Sequence, residues 1–261
     1  MIKRLDVFSS EKVNTLRVLK DFLTSVLPAY GEQFILKGYM ALSTYLEQDT
    51  GRQTTDIDLA FLEESAWKDF TVKCTSIATN NSALGIKYEL VKIKDTPNGG
   101  RLFIKAKSDR DIVFNLDMNY PKDRRVTLKS FDGLSINVFP LERIIVDKIS
   151  VVTKIKVNRR VKDLIDLFLI ASNYDFEYSE LMDKVHSIVE IESRDLSGTY
   201  LFDLANSQTI KHSYDSYDNV NKPEFGLLID TVREFILPIV DETSFVDSTN
   251  RVWSKERLEW L

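Results

Sequence analysis

The sequence predicts an α/β fold, with a mixed sheet flanked by helices and then a mainly helical C-terminal domain. Up to about residue 140, short β-branched and aromatic segments alternate with segments of helical period. After Pro140 the apolar residues recur at helical spacing, apart from loops near 192–198 and 213–223. We therefore expect an α/β domain over residues 1–140 and a helical domain over residues 141–261.

The elements of the first part follow from apolar spacing and from turn residues. Taken in order, the pattern predicts a helix over 10–27 ended by Pro28, a strand at 34–36, a turn and second helix over 37–47, a strand at 56–61, a helix over 63–81, strands at 86–93, 102–107 and 111–119, and a hairpin of 127–129 with 135–139.

The second part opens with two amphipathic segments. The first begins at Leu141 and the second ends near Leu167, and we expect a turn around residues 156–158 to join them. A further helix is expected from Phe225 to Leu237. The aromatic residues of this part are expected in its core.

Composition places the chain among ordinary globular proteins, with 43% hydrophobic and 29% charged residues. No apolar run is long enough to span a membrane, and the start lacks a signal-peptide pattern. The single Cys74 excludes an intramolecular disulfide framework, so we expect a cytoplasmic protein.

The charge is unevenly distributed along the chain. The net charge is −5, yet residues 101–166 carry fifteen Lys and Arg against nine Asp and Glu. A basic segment in an acidic protein is compatible with a site for a triphosphate or RNA, and also with a solvated surface. The candidates for phosphate contact with RNA are Lys105, Lys107, Arg124, Arg125, Arg159 and Arg160.

Two carboxylates stand two residues apart in a β-branched run. On a strand, Asp56 and Asp58 point to one face while Ile57 and Leu59 point to the other. Two charges this close repel unless a cation lies between them, and Mg²⁺ prefers such oxygen ligands. The alternative is an edge strand with two solvated aspartates.

A glycine turn precedes this pair. Gly38 follows a short strand and begins a helix, so its backbone N–H groups and the helix dipole suit a phosphate. Arg52 lies in the loop before the carboxylates, and its planar guanidinium suits a bidentate phosphate contact.

These two segments resemble the first motif of the AbiEii/MenT-like group in the DNA polymerase beta-like nucleotidyltransferase superfamily, typically toxins of type IV toxin–antitoxin systems. The motif stands here as Lys37–Leu42 and Arg52–Leu59, and it departs at Tyr39, where the family has a second small residue. The resemblance implies a nucleotidyltransferase-type sheet. It also implies nucleotide binding by Lys37, Gly38, Tyr39 and Arg52, and metal binding by Asp56 and Asp58.

The same resemblance implies further site residues. A third carboxylate on a neighbouring strand is expected to join the metal site and to act in catalysis, with Asp117 the candidate and Asp111 the alternative. A later motif of a lysine helix followed by Arg-x-Lys-Asp-x-x-Asp is similar to residues 142–166. It implies that Lys148 contacts the polyphosphate and that Asp163 orients Lys148 or the sugar.

The activity that the resemblance implies is Mg²⁺-dependent transfer of an NMP from an NTP, such as ATP, to an acceptor hydroxyl. The expected acceptor is the 3′ end of transfer RNA, with an antitoxin protein as a further partner and no membrane. The alternatives are a small-molecule adenylyltransferase of the aminoglycoside type, a protein adenylyltransferase, and a degenerate member that binds nucleotide without turnover.

Overall fold

The structure is a computed structural model that describes residues 5–46, 50–107, 111–154, 160–203, 206–217, 222–241 and 250–261. The chain forms two compact units. One contains Met1–Glu47 and Gln53–Pro140, and the other contains Gln48–Arg52 and Leu141–Leu261. The segment that ends at Arg52 therefore belongs with the second half of the chain. That the two units are separate domains stays a prediction.

The first unit is an α/β structure. Its elements are α1 (Leu5–Tyr30), β1 (Phe34–Lys37), α2 (Gly38–Leu42), β2 (Asp56–Phe61), α3 (Glu64–Asn81), β3 (Lys87–Thr96), β4 (Gly99–Lys107), β5 (Ile112–Asn119), β6 (Thr127–Phe131) and β7 (Leu134–Val138). Among the described residues its seven strands form one sheet in the order β3-β4-β5-β2-β1-β7-β6. The pairs β2–β5 and β1–β7 are parallel and the others antiparallel, so the predicted mixed sheet is confirmed.

One face of this sheet packs against helices α1 and α3. The ring of Phe22 on α1 meets Phe114 of β5 at 5.3 Å, and Phe70 on α3 meets Phe61 of β2 at 5.3 Å. The apolar residues of β2 and β5 on this face are almost fully buried, as Ile57 shows at 0% exposure. Burial of these alternating positions fixes which face of each strand turns away from the helices.

Helix α2 is shorter than predicted, because it ends at Leu42 and the prediction extended to Glu47. The hydroxyls of Ser43 and Thr44 donate to the carbonyls of Met40 and Ala41. Such side-chain bonds compete with continuation of the helix, and propensity alone does not weigh them.

The second unit is mainly helical, with elements α4 (Leu141–Val152), α5 (Val161–Asn173), β8 (Phe176–Glu177), α6 (Tyr178–Glu192), α7 (Ser207–Ser216), α8 (Phe225–Val240), β9 (Val252–Ser254) and β10 (Glu259–Trp260). The predicted turn at 156–158 lies outside the described residues. Among the described residues, no helix is long and apolar enough to cross a membrane.

Two features of the second unit differ from the prediction. Helix α7 runs to Ser216 through part of the expected loop, because Ile210 and Tyr214 are spaced to bury one face. A small sheet in the order β10-β9-β8 was not predicted. Its central Trp253 is fully buried and donates its indole N–H to the carbonyl of Ala171 at 2.7 Å, so tertiary packing holds these short strands.

Candidate active site

The carboxylates of β2 and β5 lie side by side on the sheet face that is turned away from α1 and α3. In the parallel pairing of these strands, Asp58 is directly opposite Asp117 and Asp56 is opposite Asn115. Cross-strand partners share a face and neighbouring strands lie about 4.8 Å apart. The structure thus brings Asp56, Asp58 and Asp117 onto one small area.

Asp111 lies elsewhere on the sheet. It precedes β5, is about half exposed and forms an ion pair with Lys105 of β4. Six residues separate it from Asp117, which on a strand corresponds to about 20 Å. Of the two alternatives for a third carboxylate, the register of β5 therefore favours Asp117.

Gly38 packs directly against one of these carboxylates. Its φ of +64° is in the left-handed region, and a Cβ built there would lie 2.3 Å from Oδ2 of Asp58. A side chain at residue 38 and the observed position of Asp58 exclude each other. The glycine turn therefore serves first to leave room for a carboxylate, a role that the sequence did not reveal.

The other nucleotide-binding candidates of this unit lie close by. Lys37 is directly opposite Asp58 in the antiparallel β1–β2 pair. Helix α2 has only five residues, so the field at its N-terminus is smaller than that of a long helix. Tyr39 is only 6% exposed, so its bulky ring is not displayed to solvent.

A buried threonine orients the first carboxylate of the pair. The hydroxyl of Thr54 donates to Oδ1 of Asp56 at 2.8 Å, and Thr54 itself is only 4% exposed. Because the donor is held in the protein interior, it fixes the rotamer of Asp56 and adds some positive potential beside it. No local sequence pattern identifies this contact.

Arg101 on β4 compensates the charge of the three carboxylates. It lies opposite Asp117 across the β4–β5 pair and donates from Nε and Nη2 to the two oxygens of that carboxylate. These bonds are the main reason that the pKa of Arg101 is raised, and the charges of Asp56 and Asp58 add to the effect. The alternation of β4 predicts the face on which Arg101 lies, but no local signal identifies its partner.

Within the described residues, no group of three or more His, Cys, Asp or Glu side chains is arranged so that it could hold a metal ion. In the same structure, both oxygens of Asp117 accept hydrogen bonds from Arg101. The pair Asp56 and Asp58 is nevertheless a chemically suitable donor set for Mg²⁺. This ion is commonly held by one or two carboxylates together with substrate phosphates and water.

The second unit contains a network of five charged side chains, of which Arg52, Lys148 and Asp166 are buried. Nε and Nη2 of Arg52 donate to the two carboxylate oxygens of Asp166 at 2.9 and 3.0 Å. The ammonium of Lys148 lies 2.6 Å from Asp166 and 2.7 Å from Asp163. Arg160 approaches Asp163 at 3.8 Å. Arg52, which the sequence assigned to phosphate, thus has a carboxylate partner in this structure.

Burial and the neighbouring charges act in opposite directions on the pKa values of this network. The side chain of Asp166 is fully buried and that of Arg52 is 4% exposed. Burial works to raise the pKa of Asp166, but the charges of Arg52 and Lys148 hold it below its ordinary value. Burial likewise works to lower the pKa of Lys148, and Asp166 and Asp163 outweigh it and raise that pKa. Lys148 is therefore fully protonated at neutral pH.

A comparison with protein-family profiles identifies the family of this chain. The family profile described as "Nucleotidyl transferase AbiEii toxin, Type IV TA system" matches residues 21–235. The chain belongs to this AbiEii family. It is a nucleotidyltransferase by that membership, and the resemblance inferred from the Asp56–Asp58 motif is confirmed.

The solved structure of a nucleotidyltransferase toxin shares the fold of this chain. MenT4, a nucleotidyltransferase toxin from Mycobacterium tuberculosis H37Rv, matches with a TM-score of 0.61 and 14% sequence identity, over 97% of this chain and 89% of MenT4. At that identity the likeness concerns the fold alone. A comparison with curated protein sequences gave no match.

The sequence analysis assigned no role to Asp166, although the structure places it at the centre of the charged network. It closes the Arg-x-Lys-Asp-x-x-Asp segment, yet only Asp163 was given a role. The spacing of three residues places Asp163 and Asp166 on the same face of α5, which was the available signal that both meet Lys148.

We expect Gly38→Ala to impair nucleotidyl transfer beyond its effect on stability. The matched control is Gly85→Ala, because Gly85 has a φ of +68° and open space around its Cβ position. Both variants pay roughly 1–2 kcal/mol for a left-handed alanine, but only Gly38→Ala displaces Asp58. Melting curves and transfer assays on both variants test this. Full transfer activity in Gly38→Ala would show that the contact with Asp58 is unimportant.

We expect Asp166→Asn to lower the free energy of unfolding by about 3–5 kcal/mol, because it leaves two buried cations with one fewer anion. Denaturant titration measures the loss, and Asp215→Ala, which breaks the exposed ion pair with Lys211, is the control and should change little.

The pH dependence of the free energy of unfolding, measured for wild type and Asp166→Asn, gives a second test. Since the pKa of Asp166 is lowered in the folded state, its contribution is present above the unfolded pKa of about 4 and is lost as the pH falls through the folded value. The stability difference between wild type and Asp166→Asn should therefore shrink below about pH 4. A difference that is constant down to pH 3 would argue against a charged Asp166.

Proposed function

We propose that this AbiEii-family enzyme transfers an NMP from an NTP to the 3′ hydroxyl of transfer RNA, with Mg²⁺ bound at Asp56 and Asp58. The observation that carries the proposal is the register that places Asp58 opposite Asp117 and against Gly38, with Asp56 on the same face two residues away. When bound there, Mg²⁺ supplies neutralisation of the charge that develops on the phosphates of the nucleotide.

The chain's own residues divide the remaining work. Thr54 keeps Asp56 turned toward the site, and the absence of a side chain at Gly38 leaves space for Asp58. Lys37, opposite Asp58, is placed to contact a phosphate as a point charge. Such preorganised charges accelerate the reaction because they need not reorient as it proceeds.

Asp117 is the proposed base or the ligand of a second metal. As a base, it accepts the proton of the 3′ hydroxyl while that oxygen bonds to the α-phosphorus and pyrophosphate leaves with the bridging oxygen. Asp117 can do this only when Arg101 releases it. A nucleotide phosphate is a suitable exchange partner for Arg101, since guanidinium binds phosphate and carboxylate in the same bidentate way.

Lys148 is the proposed contact to the polyphosphate from the later motif. Asp163 accepts a hydrogen bond from its ammonium at 2.7 Å and so orients it. The bond between Arg52 and Asp166 fits a positioning role for Arg52, since Asp166 holds Lys148 from the other side. Within this network, Lys148 is therefore proposed to contact the polyphosphate, and Arg52, which was also expected to do so, is not.

RNA is the proposed acceptor because the charge of residues 101–166 is basic within an acidic chain. Family membership in a type IV toxin–antitoxin system supports an antitoxin partner as well. Incubating the enzyme with each labelled NTP, total RNA and Mg²⁺ tests the acceptor. Label on a small molecule or on protein, with none on RNA, would replace this proposal with the adenylyltransferase alternatives.

We expect Asp56→Asn and Asp58→Asn each to reduce transfer at least 100-fold, the order of magnitude lost when one transition-state contact is removed. The melting temperature should hold or rise, since one of two repelling charges is gone. Asp111→Asn is the matched control, because it removes a carboxylate near the same strand but outside the site. Near-full activity in either site variant would dismiss the proposed metal ligands.

We expect Lys148→Ala to weaken NTP binding about 10-fold, and Lys184→Ala to leave it unchanged. Lys184 is a partly exposed lysine of the same unit that pairs with Glu142 and Glu180. Arg143 is unsuitable as a control because it is 2% exposed and pairs with Glu192, so its loss would disturb folding. Equal affinity of both variants in NTP titrations would show that Lys148 does not contact the nucleotide.

A further inference from the structure

The sheet face that carries the three carboxylates continues onto β4 and β3. The cross-strand partners run in two rows across β2, β5, β4 and β3. One row is Asp58, Asp117, Arg101 and Lys94, and the other is Asp56, Asn115, Phe103 and Lys92. At about 4.8 Å per strand, the rows extend about 15 Å from the metal ligands to the two lysines.

A β-bulge places these lysines on that face. The pairing of β3 with β4 shifts by one residue between Leu90 and Lys92. With the register that holds at Leu90, the residue opposite Phe103 would be Val91. After the shift it is Lys92, so this lysine and Lys94 join the carboxylate face while Ile93 turns to the other face.

The two lysines differ from the cations of the neighbouring strand β4. Lys105 is paired with Asp111 and Lys107 with Glu89, and Arg101 is engaged by Asp117. Lys92 and Lys94 are exposed, and the structure gives neither an ion pair within the described part of the chain. Their charges are therefore available to an anionic ligand.

Phe103 supplies an aromatic surface between the lysines and the carboxylates. It lies on the face that α1 and α3 do not cover, and it is only partly buried, whereas its neighbours Leu102 and Ile104 on the opposite face are at 0% exposure. A partly exposed aromatic ring beside lysines on a sheet face is an arrangement on which unpaired bases can stack.

We propose that the face formed by Lys92, Lys94 and Phe103, here called the β3–β4 platform, binds the single-stranded 3′ end of the acceptor RNA. Lys92 and Lys94 contact its phosphates and Phe103 stacks on a base, which leads the terminal hydroxyl toward Asp117. This inference rests on the proposed transfer to RNA. Charge complementarity selects RNA over a protein partner at the exposed strand β3.

Salt-dependent binding tests the platform directly. The probe is a 5′-labelled single-stranded RNA of twelve nucleotides with a free 3′ hydroxyl, titrated at several salt concentrations without NTP. The double variant Lys92→Ala/Lys94→Ala should lower the slope of log K against log salt by about 1.4, since each phosphate contact on a single strand contributes about 0.7. Phe103→Ala should weaken binding about 5- to 100-fold and leave that slope unchanged.

The control removes the same charge from the opposite side of the sheet. Lys68→Ala/Lys73→Ala alters two lysines of α3, the helix that packs on the other sheet face, and should keep the wild-type slope. If the platform double variant also keeps that slope, the platform does not bind RNA, and exposed strand β3 is then a surface for pairing with a protein.

A transfer assay separates this inference from the proposed function. With labelled NTP and RNA, the platform variants should raise the KM for RNA while kcat and NTP binding stay near wild type. A wild-type enzyme that labels no RNA would overturn the proposed acceptor, whereas an active enzyme whose KM is insensitive to Lys92, Lys94 and Phe103 would overturn the platform alone.

Discussion

The parallel pairing of β2 with β5 is the constraint on which the proposed chemistry of this enzyme depends. It brings Asp58 and Asp117, which are 59 positions apart in the chain, to directly opposite positions. The pairing is fixed by the buried side of the same strands, because a shift by one residue would move Ile57 and Leu116 out of the core and the aspartates into it. Hydrophobic burial thus determines the carboxylate geometry.

A concentration of negative charge at one point of a sheet has to be compensated in the absence of substrate. Arg101 provides most of this compensation from the neighbouring strand, and Thr54 provides a hydrogen bond from the interior. Both contacts involve the carboxylates that the proposed chemistry needs. Binding of the substrate as proposed competes with the bonds from Arg101 to Asp117, which limits the stability that these bonds can add without loss of activity.

The sequence was sufficient for the features that arise from local periodicity. Alternation of polar and apolar residues predicted β2 and β5 and the shared face of Asp56 and Asp58, and Asp132-Gly133 predicted the β6–β7 hairpin. Features set by pairing between distant segments were not predictable in this way. The bond from Arg101 to Asp117, the bulge before Lys92 and the contact of Gly38 with Asp58 each depend on the register of strands that no local pattern specifies.

The buried network of the second unit gives Lys148, the proposed phosphate-binding lysine, two carboxylate partners. If Lys148 turns toward a polyphosphate as proposed, Asp166 would be left as a fully buried anion, a costly state unless another cation remains. Arg52 holds both oxygens of Asp166 independently of Lys148, and Arg160 lies within 4 Å of Asp163. Each carboxylate thus retains a cation when Lys148 leaves. By this reasoning Arg52 lowers the free-energy cost of nucleotide engagement without contacting the nucleotide.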